Sequence, residues 1–193
     1  MNRNRNYFSI QKNVDAYLRM LEGYDTCCFM TDLLYSLLPA GSTVLELGIG
    51  PGKDLQLLNR DYTVTGSDNS PIFLELFRKH HADADLLLLD AVTLDTERLF
   101  DCIFSNKVLM HLEKEEMFRS FQRQKEVLNQ GGLLLHSFWY GERQEEFDGL
   151  FFQYYTEKTL EAAIADAGLR VVRSGRYAEE EEGDSLFAVA ALD

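Results

Sequence analysis

The sequence predicts an α/β fold in three layers, a largely parallel sheet with helices on both faces, and three observations carry that expectation. Short apolar runs of strand length alternate with segments whose apolar residues recur at helical spacing. A glycine-rich turn, Gly48-Ile49-Gly50-Pro51-Gly52, joins the first run to a helical pattern. Acidic residues stand at the ends of the first three runs, Glu46, Asp68 and Asp90, where a parallel sheet gathers side chains along one edge.

The elements follow in order. Residues 1–12 are polar and rich in asparagine and are expected to fray until something docks on them. Asn13 to Gly23 places Val14, Tyr17, Leu18 and Leu21 on one helical face, and Cys27 to Leu38 does the same with Phe29, Met30, Leu33, Leu34 and Leu37. Pro39-Ala-Gly41 ends the second helix. Val44 to Leu47 is a buried strand, Asp54 to Asn59 a helix, and Tyr62 to Gly66 a second strand closing in Ser67-Asp68. Ser70 and Pro71 fit the N-cap and first position of a helix that runs to His80. Asp85 to Asp90 is a continuous apolar strand, as expected where both faces are covered, and Phe100 to Phe104 is a fourth. Glu113 to Asn129 is an amphipathic helix burying Met117, Phe118, Phe121, Val127 and Leu128, stopped by Gly131-Gly132. A fifth strand spans Leu133 to Phe138, followed by an aromatic-rich stretch from Trp139 to Tyr155 that either lines a pocket or covers a sheet edge. A helix over Glu157 to Ala167 and strands over Leu169 to Arg173 and Ser185 to Ala191 complete the chain, and Glu179 to Glu182 reads as a solvated hairpin tip.

With 193 residues, 46% hydrophobic and 26% charged, the chain suffices for one domain over residues 1–193 with a substantial core. A net charge of −13 disfavours nucleic acid, whose binding depends on Lys and Arg displacing phosphate counterions. Arg3 and Arg5 are followed by no long apolar run, so neither a signal peptide nor a membrane span is expected, and the reading is cytoplasmic. Three cysteines, two of them adjacent, give neither a disulfide framework nor paired zinc-ligand spacing, and no metal is expected.

Spacing sorts the uses of the glycine turn. A dinucleotide fingerprint would need glycine where Lys53 stands. A P-loop would need glycine at Leu47 and a hydroxyl at Asp54. What remains is an acid followed by three alternating glycines, Glu46-Leu-Gly-Ile-Gly-Pro-Gly52, with Asp68 placed 22 residues after Glu46, where a carboxylate takes both hydroxyls of a ribose.

This order of landmarks (the glycine turn, Asp68, Asp90-Ala91 and Asn106 to His111) resembles the class I S-adenosylmethionine (SAM) dependent methyltransferases over about residues 43–137. The resemblance implies a Rossmann-like methyltransferase fold whose seven-stranded, mostly parallel sheet has its last strand antiparallel. It implies SAM as cofactor and S-adenosylhomocysteine as product, held by Glu46, Gly48, Ile49, Gly50, Gly52, Asp68, Asn69, Asp90, Ala91 and Asn106. It also implies that residues 1–40 form a helical lid, with Tyr17 and Tyr24 either touching the methionine end of SAM or packing on the core rim. The tetrapeptide [DN]-P-P-[YF], which marks methylation of nucleobase or glutamine nitrogen in related enzymes, is absent, since Asn106 is followed by Lys107-Val108. The acceptor is therefore expected to be a small molecule offering O, N or S. If it must lose a proton, His111 is the candidate base and Tyr140 or Tyr155 the residue that orients it, while a loop-capping role for His111 stands beside that reading. A non-catalytic SAM-binding module and an NAD-dependent oxidoreductase are the alternatives.

Overall fold

The computed structural model describes residues 6–23 and 27–192. A seven-stranded sheet organises it: β1 (Thr43–Leu47), β2 (Thr63–Asp68), β3 (Leu86–Leu88), β4 (Phe100–Ser105), β5 (Leu128–Trp139), β8 (Leu169–Tyr177) and β9 (Ser185–Leu192). Between β5 and β8 a separate hairpin is formed by β6 (Gln144–Phe147) and β7 (Leu150–Gln153). The main sheet has the order β3-β2-β1-β4-β5-β9-β8. Its first five strands run parallel, and β9 lies antiparallel between β5 and β8, as the sequence predicts for the last strand.

Helices cover both faces because β1 and its neighbours alternate their side chains between two cores. Val44, Val64, Cys102, Phe104 and Leu135 face α2 (Phe29–Leu37), α3 (Lys53–Leu58) and α4 (Pro71–Arg78). Leu45, Leu47, Ile103 and Leu134 face α5 (Lys114–Glu126) and α6 (Glu157–Asp166). Glu46, on the same side as Val44, is thereby carried into the interior. A polar chain ties the second layer to the sheet: His136 lies between Ser105 Oγ and Gln124 Oε1, each at 2.8 Å, and Gln124 donates to Ser120 Oγ at 3.0 Å. Burial lowers the His136 pKa to about 3, so this histidine is neutral and structural.

Several sequence expectations need correction. The segment after Asn6 is not frayed: Tyr7–Ser9 form a 3-10 turn, α1 begins at Gln11 and runs to Met20, and Phe8 packs 5.4 Å from Tyr17 and 5.5 Å from Phe73. Residues 1–5 and Tyr24 lie outside the described residues. The third strand lies at the sheet edge, so Leu88 is 62% exposed instead of covered. Helix α5 ends at Glu126, not Asn129, and Gly131-Gly132 belong to a bulge in β5, whose pairing with β4 jumps from Phe100–Leu128 to Cys102–Leu133. Phe118 points outward, one residue beyond the face on which Met117, Phe121 and Gln124 are buried. Finally, Glu179 at the β8–β9 turn is held in the wall of a cavity, not in solvent.

Candidate functional site

A cavity of about 610 Å³ opens beyond the C-terminal ends of β1, β2 and β4, and the glycine turn forms its floor. Glu46, Gly48, Ile49, Gly50, Asp68, Asn69, Asp90, Ala91, Asn106 and His111 all line it. Gly52 does not. Its φ is +80°, and a Cβ there would lie 2.2 Å from the Phe77 ring, so Gly52 lets α3 start against α4. Gly48, at φ +73°, likewise sits against Val108, 2.6 Å from where a Cβ would be. Gly50 differs: its nearest neighbour is the Tyr17 ring at 3.9 Å, which leaves its backbone open to the cavity.

Asp68 couples the turn to the next loop, its carboxylate accepting the N–H of Gly50 at 3.0 Å and of Ser70 at 2.8 Å. Burial raises its pKa to about 6 against the opposing pull of the Ser70, Gly50 and Asn69 amides. Glu46 is pushed well above the ordinary carboxylate range, by burial first and then by Asp54 and Asp68. Among the described residues, its Oε2 is the one buried side-chain oxygen or nitrogen without a hydrogen-bond partner. Such an atom in a cavity wall fits an ammonium or hydroxyl donor of a ligand. Asp90 accepts the Val92 N–H at 2.8 Å, and Ser120 of α5 donates to the Ala91 carbonyl at 2.6 Å, so this loop is held from both sides.

Asn106 donates to Asp54 Oδ2 at 3.0 Å and accepts from Ser137 Oγ at 2.5 Å. Lys107 follows in the left-handed region, φ +57°, which turns its side chain across the Trp139 ring, 3.8 Å from the centroid. There its ammonium donates to Glu179, to Ser185 Oγ at 2.9 Å and to Tyr177 Oη at 3.3 Å. His111 Nδ1 meets the Phe151 carbonyl at 2.9 Å, which ties the loop after β4 to the β6–β7 hairpin, and burial lowers its pKa to about 4. Tyr140 and Tyr155 do not line the cavity; Tyr155 Oη instead lies 3.2 Å from Met117 Sδ.

The cavity walls include Phe147 and Phe152 of the aromatic stretch, and also residues that nothing in the sequence pointed to: Tyr7, Phe8, Met20 and Cys27 on one side, Asp148 from the hairpin, and Glu179 and Glu180 from the β8–β9 turn. The aromatic density after Trp139 is the signal for the first two.

Residues 44–132 match the family model described as a methyltransferase domain. That segment is similar to a methyltransferase domain over a little under half of the chain. Solved structures share the fold around it. The 1,6-didemethyltoxoflavin-N1-methyltransferase of Burkholderia thailandensis, determined with 1,6-didemethyltoxoflavin and S-adenosylhomocysteine bound, superposes with a TM-score of 0.83 at 20% identity, over 99% of this chain and 88% of that one. DesVI of Streptomyces venezuelae gives 0.75 at 20% identity over 95% and 99% of the two chains. A TehB-like SAM-dependent methyltransferase of Corynebacterium glutamicum gives 0.74 at 19% identity over 94% and 97%. The matched segment includes the glycine turn, Asp68, Asp90 and His111, while the N-terminal helices and the hairpin that complete the cavity lie outside it.

The Lys107–Glu179 pair is itself testable. With side chains 11% and 22% exposed, the pair is largely removed from water, and Lys107→Met strands the Glu179 carboxylate. The expected loss is about 2 to 3 kcal/mol in urea unfolding, somewhat under the usual cost of breaking a fully buried pair. Lys107→Met/Glu179→Gln should recover at least half of it. A double variant as unstable as the single one shows that the pair carries no coupling.

Proposed function

We propose that the protein is a SAM-dependent methyltransferase acting on a small-molecule acceptor. The observation that carries this reading is the convergence, in one cavity of a methyltransferase domain, of an open glycine backbone, the Asp68 and Asp90 carboxylates and an orphaned Glu46 oxygen. Each suits a part of SAM: Asp68 and Asn69 the ribose hydroxyls, Asp90 and Ala91 the adenine edge, and Gly48, Ile49, Gly50, Glu46 and Asn106 the methionine end. Gly52 supports the turn from behind. When bound, SAM supplies the electrophile, a methyl group on a sulfonium. The chain's own work is to hold an acceptor in line with that methyl and to exclude water. Tyr7, Phe8, Tyr17 and Met20 on one side and Phe147 on the other form the lid that does so. His111 holds the hairpin through Phe151 and stays neutral at pH 7, a poor match for taking a proton from an acceptor.

The lone tryptophan of the chain, Trp139, lines the cavity and reports on its occupancy. S-adenosylhomocysteine is expected to change Trp139 fluorescence saturably, with a matching calorimetric isotherm, and NADH to give neither. Preferential NADH binding would sink the reading. Transfer of label from methyl-labelled SAM to a panel of small amines, acids and thiols separates an enzyme from a binding module.

A further inference from the structure

Residues 6–23 supply Tyr7, Phe8, Ala16, Tyr17, Met20 and Leu21 to the cavity wall, and among the described residues a single hydrogen bond joins this segment to the rest of the chain. Ser70 Oγ donates to the Phe8 carbonyl at 2.6 Å, across 62 positions of sequence. Ser70 is also the N-cap of α4, but that role asks only for an acceptor, and the Phe73 N–H reaches its oxygen at a long 3.4 Å. A serine hydroxyl has one hydrogen to give, and here it goes to the N-terminal segment. Ser70 is fully buried and does not line the cavity, so it acts on a ligand only through what it holds.

Its backbone belongs to the loop beside the glycine turn, since the Ser70 N–H donates to Asp68 at 2.8 Å and the same carboxylate takes the Gly50 N–H at 3.0 Å. Its side chain holds the turn at Tyr7–Ser9. There the Phe8 ring packs 5.4 Å from Tyr17 and 5.5 Å from Phe73, and the Tyr17 ring lies 3.9 Å from where a Cβ of Gly50 would be. Asn13 braces the turn from within, its amide donating to the Tyr7 carbonyl at 2.8 Å. Beyond it, the Tyr7 ring comes within 4.0 Å of the Cβ position of Gly149 at the hairpin tip. Resting on the SAM reading above, we propose that Ser70 is a positioning residue whose hydroxyl latches the Tyr7–Ser9 turn and α1 over the bound cofactor and so sets how fast the cofactor leaves. A lid tied down by one hydrogen bond opens more often in proportion as that bond is weakened.

Stopped-flow mixing of the full chain with S-adenosylhomocysteine, followed by Trp139 fluorescence, gives the association rate as a slope and the dissociation rate as an intercept. Ser70→Gly is the main variant, because glycine serves as an N-cap almost as well as serine but has no hydroxyl to donate. It should speed dissociation by about three- to tenfold, the effect of one net hydrogen bond, while association changes less than twofold. Phe8→Ala should do the same, and the double variant should release S-adenosylhomocysteine no more than twice as fast as the faster single one, since both undo one latch. Thr156→Gly is the control: Thr156 caps α6 through the Thr159 N–H, lies outside the cavity wall, and should leave dissociation unchanged. Dissociation from Ser70→Gly within twofold of the wild type, an equal acceleration by Thr156→Gly, or single effects that multiply in the double variant overturns the proposal. Failure of S-adenosylhomocysteine to bind the wild type is a different result, and it removes the cofactor reading itself.

Discussion

Gly52→Ala is expected to lower the melting temperature by about 5 to 15 °C, the largest stability effect of any single methyl added to the glycine turn. Two costs add. At φ +80° an L-residue pays roughly 1 to 2 kcal/mol for its backbone conformation. The new methyl would also lie 2.2 Å from the Phe77 ring, which is buried between α4 and the sheet, and forcing such an overlap costs about 1 to 3 kcal/mol more. In a chain of this length each kcal/mol moves the melting temperature by roughly 2 to 4 °C. Gly41→Ala is the control, because Gly41 has φ +85° and nothing within 4 Å of an added Cβ, so it isolates the backbone cost. Gly50→Ala should separate the two roles of the turn: at φ +48° it pays the backbone cost alone, a stability loss like that of Gly41→Ala, but with a clear loss of S-adenosylhomocysteine affinity. Differential scanning calorimetry and fluorescence titration of the three variants decide it. Equal melting temperatures for Gly52→Ala and Gly41→Ala would mean that Phe77 simply moves aside.

The sequence exposed the floor of the cavity far better than its roof, and the reason is physical. Glu46, Asp68 and Asp90 stand at strand ends, and a parallel sheet brings such positions to one edge whatever their distance along the chain. Their convergence follows from element order, which apolar periodicity reveals. The roof depends on loops whose placement no periodicity sets. The β6–β7 hairpin starts with Gln144-Glu145-Glu146, pairs only with itself and leaves Phe147 73% exposed, so its strands resemble a polar linker. Glu179 belongs to a run of four acids, and composition cannot tell the one that meets a buried ammonium from the three beside it. The ends of α5 and β5 were misplaced for a related reason: two glycines signal a left-handed backbone, and that signal is the same for a helix stop and for a bulge. Where local chemistry had a single solution, as with Ser70 capping α4 ahead of Pro71, sequence and structure agree to the residue.

Asp68→Ala is expected to weaken S-adenosylhomocysteine binding by about 1.5 to 3 kcal/mol, roughly 10- to 150-fold, the worth of hydrogen bonds to an ionised group. The apo protein should lose little stability, and magnitudes decide why. Removing the carboxylate deprives the Gly50 and Ser70 amides of their acceptor, at about 1 kcal/mol each. It also removes a group whose pKa is raised from 3.8 to about 6 by burial, which at pH 7 costs the fold about 3 kcal/mol. These terms nearly cancel. The pH dependence separates them. Because the folded-state pKa is the higher one, Asp68 makes the native protein lose stability as pH rises from about 4 to 6 and adds no slope above that, so the variant should lack this descent. Ligand affinity should run the other way: with Asp68 in its proposed role, the ribose hydroxyls donate to the ionised carboxylate, so wild-type affinity should fall as pH drops through about 6, approaching tenfold per unit, whereas the weak binding of Asp68→Ala stays flat. Urea unfolding between pH 4 and 7 measures the first slope and calorimetric titrations at pH 5, 6, 7 and 8 the second, and a wild-type affinity that does not change between pH 5 and 7 would show that Asp68 serves the two loops and not the ligand.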